Sequence, residues 1–219
     1  MSSTQHVSDD SPGSALFPEY ATLYDLIATE VEGLTVDQLD FDSDRWEWSG
    51  WSIRRQLSHM ASLTYRWLIL RWGETLFPEG DHGVDDVSGL ADSPSDRRLD
   101  ESRYWELPVI LDALGRGIEL ARQVLSERDV KFLRSHTYLQ SQSPQWDLMI
   151  QAHPTGISPT ERPDQGTMTL EATMRHIYYE ETTHLYNIQR LKRAQGLATA
   201  VDVPRVGYWV LDGWDRSEP

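Results

Sequence analysis

The chain has 219 residues, enough to bury a sizeable core in one domain, and nothing in its composition demands a second. With 35 acidic against 20 basic residues the net charge is −15, a balance that repels a phosphate backbone and argues against nucleic acid as a partner. Cysteine is absent, which removes disulfides, thiolate metal ligands and a cysteine nucleophile, so any sulfur chemistry needs an external thiol. Hydrophobic residues make up 39% of the chain and include nine Trp and nine Tyr, so aromatic mass is expected to fill much of the interior. No run of about 18 apolar residues occurs, and the N-terminus lacks the basic start and apolar centre of a secretory signal. The expectation is a cytoplasmic protein that does not enter a membrane.

Residues 1–16 are rich in Ser, Asp, Gly and Pro and read as a flexible leader, with His6 inside it. A first helix is predicted from about Pro18, through Tyr20, Leu23, Tyr24, Ile27 and Val31, to a stop at Gly33. A polar and aromatic connection follows. The second helix spans residues 52 to about 72, capped by Ser52 or Ser49, with Ile53, Leu57, Met60, Leu63 and Trp67 on its buried side. Residues 73–102 are too punctuated by Gly and Pro for a long regular element and read as an extended loop of the kind that covers binding sites. A third helix fits residues 104 to about 128, despite Pro108 near its start and glycines at 115 and 117, which weaken a helix but allow close packing. Residues 132–166 read as loop with a short extended piece around 146–150. The short basic clusters Arg54-Arg55 and Arg190, Lys192-Arg193 fit solvated helix faces or a helix C-terminal turn.

The last helix carries the most chemistry. In the run from Thr169 to Leu191, Leu170, Ile177, His184 and Leu191 recur every seven residues, with Met174, Glu181 and Ile188 one turn beside them. His184 therefore stands where a core residue is expected. Glu180 lies four residues before it, and a helix turn of about 3.6 residues projects both from one side, where they can grip one small cation. The competing explanation is structural: a histidine on an apolar face is usually a satisfied core residue, and Glu180 can be its partner. His59 tips the balance, because it falls at the border of the second helix's buried stripe and can point obliquely into a bundle centre. Two helices then supply three ligands.

Four amphipathic helices with long connections suggest a bundle with inward-facing ligands. The run Trp51-Ser52-Ile53-Arg54-Arg55-Gln56-Leu57-Ser58-His59 resembles the Trp-Ser followed by His of the DinB/YfiT-like superfamily of four-helix metalloenzymes. Residues 170–196 are similar to that family's last helix, which ends in an arginine-rich turn and Gly. The resemblance implies an all-α, up-down-down-up four-helix bundle over residues 17–197, with long loops and an aromatic C-terminal tail, 198–219, packed on it. It implies the metal ligands His59, Glu180 and His184, with His176 supporting them from the rim.

Many family members carry His where this chain has Glu180. The His, Glu, His set is closer to the mycothiol-dependent maleylpyruvate isomerases and mycothiol S-transferases. Two neutral imidazoles and one carboxylate leave a divalent site with formal charge of about +1, able to stabilise a bound thiolate or hydroxide. Zinc suits such a site best, with nickel, manganese and iron as alternatives. The resemblance thus implies a thiol-dependent transferase, in which a low-molecular-weight thiol such as mycothiol attacks a small electrophile. Tyr179 and Glu181 are weak candidates for orienting a ligand or moving a proton, with packing and surface positions as the alternative. Arg66 is a candidate for neutralising an anionic substrate, against the alternative of a surface salt bridge. His82, His136 and His153 have no ligand-like spacing.

The tail, with Tyr208, Trp209 and Trp214, reads as a segment folded back over apolar surface, or else as a lid or a patch for forming a homodimer. The isomerases' additional C-terminal domain has no counterpart in the roughly 23 residues after Gly196. Two further functions stay open: a non-catalytic, stress-related metal-binding bundle, which predicts no cavity beside the ligands, and a hydrolase using metal-bound water, which turns over without thiol.

Overall fold

A computed structural model of the chain describes residues 7–141 and 146–219. Four long helices carry the core: α1 (Leu23–Val31), α2 (Ile53–Tyr65), α3 (Leu107–Glu127) and α4 (Leu170–Ala194). Helices α2 and α4 each begin on a side-chain cap. The Ser52 hydroxyl accepts the Arg55 amide at 3.4 Å and the Thr169 hydroxyl accepts the Ala172 amide at 3.1 Å, satisfying donors that have no helical partner. Pro108 sits in the first turn of α3, where its missing N–H is no loss.

Contacts between side chains and backbone fix how the helices run. The Tyr20 hydroxyl, just before α1, donates to the Met174 carbonyl at 2.7 Å, and Gln189 donates to Glu30 at 2.8 Å, so α1 and α4 share one sense. Arg54 reaches the Trp105 carbonyl and Tyr65 the Ala113 carbonyl, so α2 and α3 share a sense. Gln56 meets His184 while Trp72 meets Thr173, which makes α2 and α4 opposed. The two glycines of α3 are where its neighbours come closest. A Cβ at Gly115 would lie 3.2 Å from the Tyr24 ring, and one at Gly117 would lie 3.3 Å from the Tyr65 ring.

The second helix does not continue as an α-helix to residue 72. Arg66–Arg71 forms a π turn, in which the Trp72 amide donates to the Trp67 carbonyl at 3.1 Å. On an α-helix, residues five apart diverge by about 140°. The wider turn instead brings Arg66 and Arg71 to the wall of one cavity.

The strictly all-α expectation is corrected by a small antiparallel sheet. Its strands β1 (Thr137–Ser141), β2 (Ile157–Pro159) and β3 (Gln165–Thr169) lie in the order β1-β3-β2, with Met168 opposite both Tyr138 and Ile157. These strands are too short for their alternation to register as sequence pattern. The piece expected to be extended around 146–150 is helical, Trp146–Ala152, and buries Trp146 and Met149 at helical spacing. Residues 73–102 contain the short helices Gly73–Leu76 and Val87–Leu90.

Of the expected leader, residues 1–6 with His6 lie outside the described residues. The remainder is tied down rather than loose: the Gly13 amide donates to the Arg128 carbonyl at 2.8 Å, and the Val130 and Lys131 amides donate to the Ser11 and Asp9 carbonyls. Of the basic clusters, Lys192 and Arg193 stand in the last turn of α4, one of the two expected settings, whereas Arg54, Arg190 and Lys192 are buried rather than solvated. Arg54 is buried against Asp40 at 2.5 Å, and Lys192 is buried against Glu30 at 2.5 Å. Arg190, buried as well, donates to the Asp215 carbonyl at 2.9 Å and so holds the C-terminal residues along α4. Among the described residues no helix is long and apolar enough to cross a membrane.

Candidate metal centre

His59 projects from the middle of α2, and Glu180 and His184 project from one face of α4. One Glu180 carboxylate oxygen lies 3.7 Å from His59 Nε2 and 3.4 Å from His184 Nε2. One ligand atom from each of the three residues lies within 4.8 Å of the others. Two donors bound at about 2.1 Å in a tetrahedral arrangement stand about 3.4 Å apart, so the spacing suits a shared cation.

Each imidazole is turned by a bond on its far side. His59 Nδ1 donates to the Arg97 carbonyl at 3.0 Å, since a carbonyl can only accept. That carbonyl is presented by a left-handed pair of non-glycine residues, Asp96 (φ 46°) and Arg97 (φ 62°). The loop behind it is anchored by buried Leu99, whose amide donates to the Ser58 hydroxyl at 3.1 Å. His184 Nδ1 donates to Gln56 Oε1 at 2.5 Å, and the Gln56 amide nitrogen donates to the Trp51 carbonyl at 3.4 Å, which sets the amide's orientation. Trp51 also lies against both rings, with centroids 5.2 Å from His59 and 6.2 Å from His184.

With Nδ1 of each ring donating on the far side, both Nε2 atoms are left facing Glu180. Burial, reinforced by His184, pushes His59 down to about 4, so it is neutral near pH 7. Three acceptors therefore converge, and buried His59 Nε2 has no hydrogen-bond partner among the described residues. A donor or a cation at its centre would satisfy such a cluster. The donor set, two neutral imidazoles and a carboxylate, could hold a divalent metal.

The centre is not closed. The Glu180 side chain is 26% exposed, and a cavity of about 210 Å³ adjoins it, lined by His59, Arg66, Arg71, Gln140, His176 and Glu180 among others. A larger cleft of about 620 Å³ lies between the N-terminal segment and α3, away from the histidines, with Glu119 and Arg122 as its charged side chains.

His176 lies on the cavity wall and is not one of the three converging ligands. Its Nδ1 bonds the Tyr208 hydroxyl at 2.6 Å, and the same hydroxyl lies 3.1 Å from His153 Nε2. The tail is thus built into the site. Gly207, at φ 99°, passes so close to α4 that an added Cβ would meet the Tyr179 carbonyl and Thr182 hydroxyl, and the Tyr208 amide donates to the Thr183 hydroxyl at 3.1 Å. Tyr208 and Glu180 line a further small cavity of about 70 Å³.

Arg66 lies on the cavity wall and makes no salt bridge among the described residues, against the expectation of a surface ion pair. Tyr179 packs its ring 5.3 Å from His153 and 6.0 Å from Tyr208 and does not line the main cavity. Glu181 is not a surface residue. It is fully buried with both oxygens unpartnered, and burial, then Glu180, pushes its carboxyl well above the usual range. His82 accepts the Val84 amide and His136 stacks on Phe132, both remote from the converging atoms. Sequence reasoning missed Gln56, the Arg97 carbonyl, Arg71, Gln140 and the His153–Tyr208 pair.

No protein-family model matches the chain, and no curated protein matches it. A solved structure of YfiT from Bacillus subtilis, described as a probable metal-dependent hydrolase with an unusual four-helix bundle topology, aligns with it at 16% identity and a TM-score of 0.47, covering 90% of this chain and 95% of that one. At that overlap the likeness carries no argument about what this chain does.

Proposed function

We propose that the chain is a divalent-metal-dependent enzyme in which His59, Glu180 and His184 hold the ion and a low-molecular-weight thiol of mycothiol type is transferred to a small electrophile in the adjoining cavity. The observation that supports it is the convergence of three acceptor atoms, with no donor between them, beside a space that a substrate can enter. A site that serves only structure closes its coordination sphere with side chains; this one keeps an open flank.

The bound ion supplies a Lewis acid that lowers the pKa of its nucleophile; zinc is our first assignment, with nickel, manganese and iron sharing the donor set. The chain's own residues do the rest. Gln56 and the Arg97 carbonyl fix the two rings so that both Nε2 lone pairs stay aimed at the centre. The Tyr208 hydroxyl, between two buried histidines, holds both rings beside the second cavity, and burial pushes it well above the usual phenol range so that it stays protonated there. The chain has no cysteine, so the sulfur nucleophile must arrive as a cosubstrate.

Hydrolysis is the second reading, and the cavity size favours it: about 210 Å³ is below the roughly 300–1,000 Å³ that encloses a drug-sized ligand, whereas water fits at once. The two readings separate in one assay of the metal-loaded protein with a panel of small electrophiles and esters. Turnover that requires added thiol and consumes it supports transfer. Turnover unchanged by omitting thiol supports hydrolysis, and no turnover with a filled metal site removes the enzyme reading.

A further inference from the structure

The cavity beside the centre is unusual for so acidic a chain. Three guanidinium groups, Arg66, Arg71 and Arg97, line it, and the only carboxylate among its lining residues is Glu180, already engaged with the imidazoles. Arg97 is paired with Asp96 at 3.5 Å. Arg66 and Arg71 have no carboxylate partner among the described residues; Arg71 lies over the Trp67 ring at 3.7 Å, and one terminal nitrogen of Arg66 is buried with no hydrogen-bond partner. Among the described residues the buried Arg54 is answered by Asp40 and the Trp105 carbonyl, and Arg190, although its Nε is also unpartnered, has its two terminal nitrogens bonded to Asn187 and the tail carbonyls.

We infer that this cavity is an anion subsite, in which Arg66 and Arg71 receive a carboxylate of the small substrate while its reacting atom lies toward His59, Glu180 and His184. The inference deepens the enzyme reading above and rests on it for the second half of that statement; the anion subsite itself stands without the metal. A guanidinium pairs with carboxylate through two parallel N–H bonds, which gives both charge and orientation. The π turn supplies the placement, because it sets two arginines five residues apart on one wall and keeps Trp67 beneath one of them. Burial, together with Arg71 and Arg97, lowers Arg66 to about 10, a crowding of like charge that an anion relieves while leaving the side chain ionised near neutrality.

The test is calorimetric titration of the full chain with succinate, and with neutral succinamide as the isosteric control, on samples whose metal content is measured alongside. Wild type is expected to bind succinate and not succinamide. Arg66→Gln and Arg71→Gln are expected to weaken succinate about 10- to 100-fold while keeping metal content, and Arg66→Lys to lose less than Arg66→Gln. Absence of succinate binding to wild type, equal binding of succinamide, or undiminished binding in both Gln variants overturns the anion subsite. If wild type itself holds no metal yet the arginine dependence persists, the metal reading fails and the subsite stands. Circular dichroism melts of each variant separate lost binding from lost folding, and Arg66→Lys, which keeps the charge, decides the case should Arg66→Gln unfold.

Discussion

Gln56 Oε1 accepts the Nδ1–H of His184 at 2.5 Å across the α2–α4 interface, and this bond leaves His184 Nε2 as a lone pair 3.4 Å from Glu180. The ring cannot rotate without breaking it. Replacing Gln56 by Leu keeps the volume roughly constant and removes the acceptor, so metal affinity should fall about 10- to 100-fold with little change in helix content. Competition titration with a chromophoric chelator measures this, and an unchanged affinity would show that Gln56 plays no part in presenting the ring.

The Tyr208 hydroxyl joins His176 and His153, both buried. Tyr208→Phe preserves the ring packing but leaves a nitrogen on each histidine without a partner. The expected loss of stability is ~1–3 kcal/mol, read from urea unfolding. A variant as stable as wild type would mean that the two nitrogens find other partners.

Stability should also depend on pH through these two rings. Unfolded histidines titrate near the ordinary value of 6.5, whereas burial, aided by His176 and Arg175, lowers His153 to about 3, and burial, opposed by Glu180, lowers His176 to about 4. Between those limits the unfolded chain binds more protons than the folded one. The stabilisation is therefore complete above pH 6.5 and is lost as pH falls toward 4, at about 1.4 kcal/mol per unit for each ring. Glu181 has the opposite sign: its raised pKa stabilises the fold while protonated, and that contribution is lost as pH rises above the ordinary carboxylate range. Urea midpoints between pH 4.5 and 7.5 should show a shallower acid slope for His153→Gln than for wild type. Equal slopes would contradict a neutral His153.

Glu30 is fully buried at the α1–α4 interface, where it accepts Lys192 at 2.5 Å, Gln189 at 2.8 Å and the Ala200 and Val201 amides at about 3 Å. Removing it strands a buried ammonium. Glu30→Ala should cost ~3–5 kcal/mol, and Glu30→Ala with Lys192→Met should recover a substantial part of that. Denaturant unfolding of wild type and the two variants tests it; a Glu30→Ala protein within ~1 kcal/mol of wild type would contradict the assignment.

How much of this was legible in the sequence follows from how local each signal is. The cap Ser52, the periodicity of α2 and α4, and the i, i+4 spacing of Glu180 and His184 are local, and they appear where expected. The meeting of His59 with that pair was a guess about packing that helix geometry alone allowed. The supporting contacts were not legible. Gln56 on a helix reads as a solvent residue, the Arg97 carbonyl has no side-chain signature, and Tyr208 reaches its histidines across 55 and 32 residues of chain. Arg66 and Arg71 face one cavity only because the helix widens by a turn that no hydrophobic pattern announces. The sheet escaped notice because Met168 alone, flanked by Thr167 and Thr169, gives too short an alternation to distinguish a strand from a loop.

The central claim is that His59, Glu180 and His184 share one metal ion. Metal analysis of purified wild type beside His59→Ala, Glu180→Ala and His184→Ala, all folded by circular dichroism, tests it directly. About one divalent ion per chain in wild type, and a large loss in each variant, is the predicted result. The same metal content in all four proteins would contradict it.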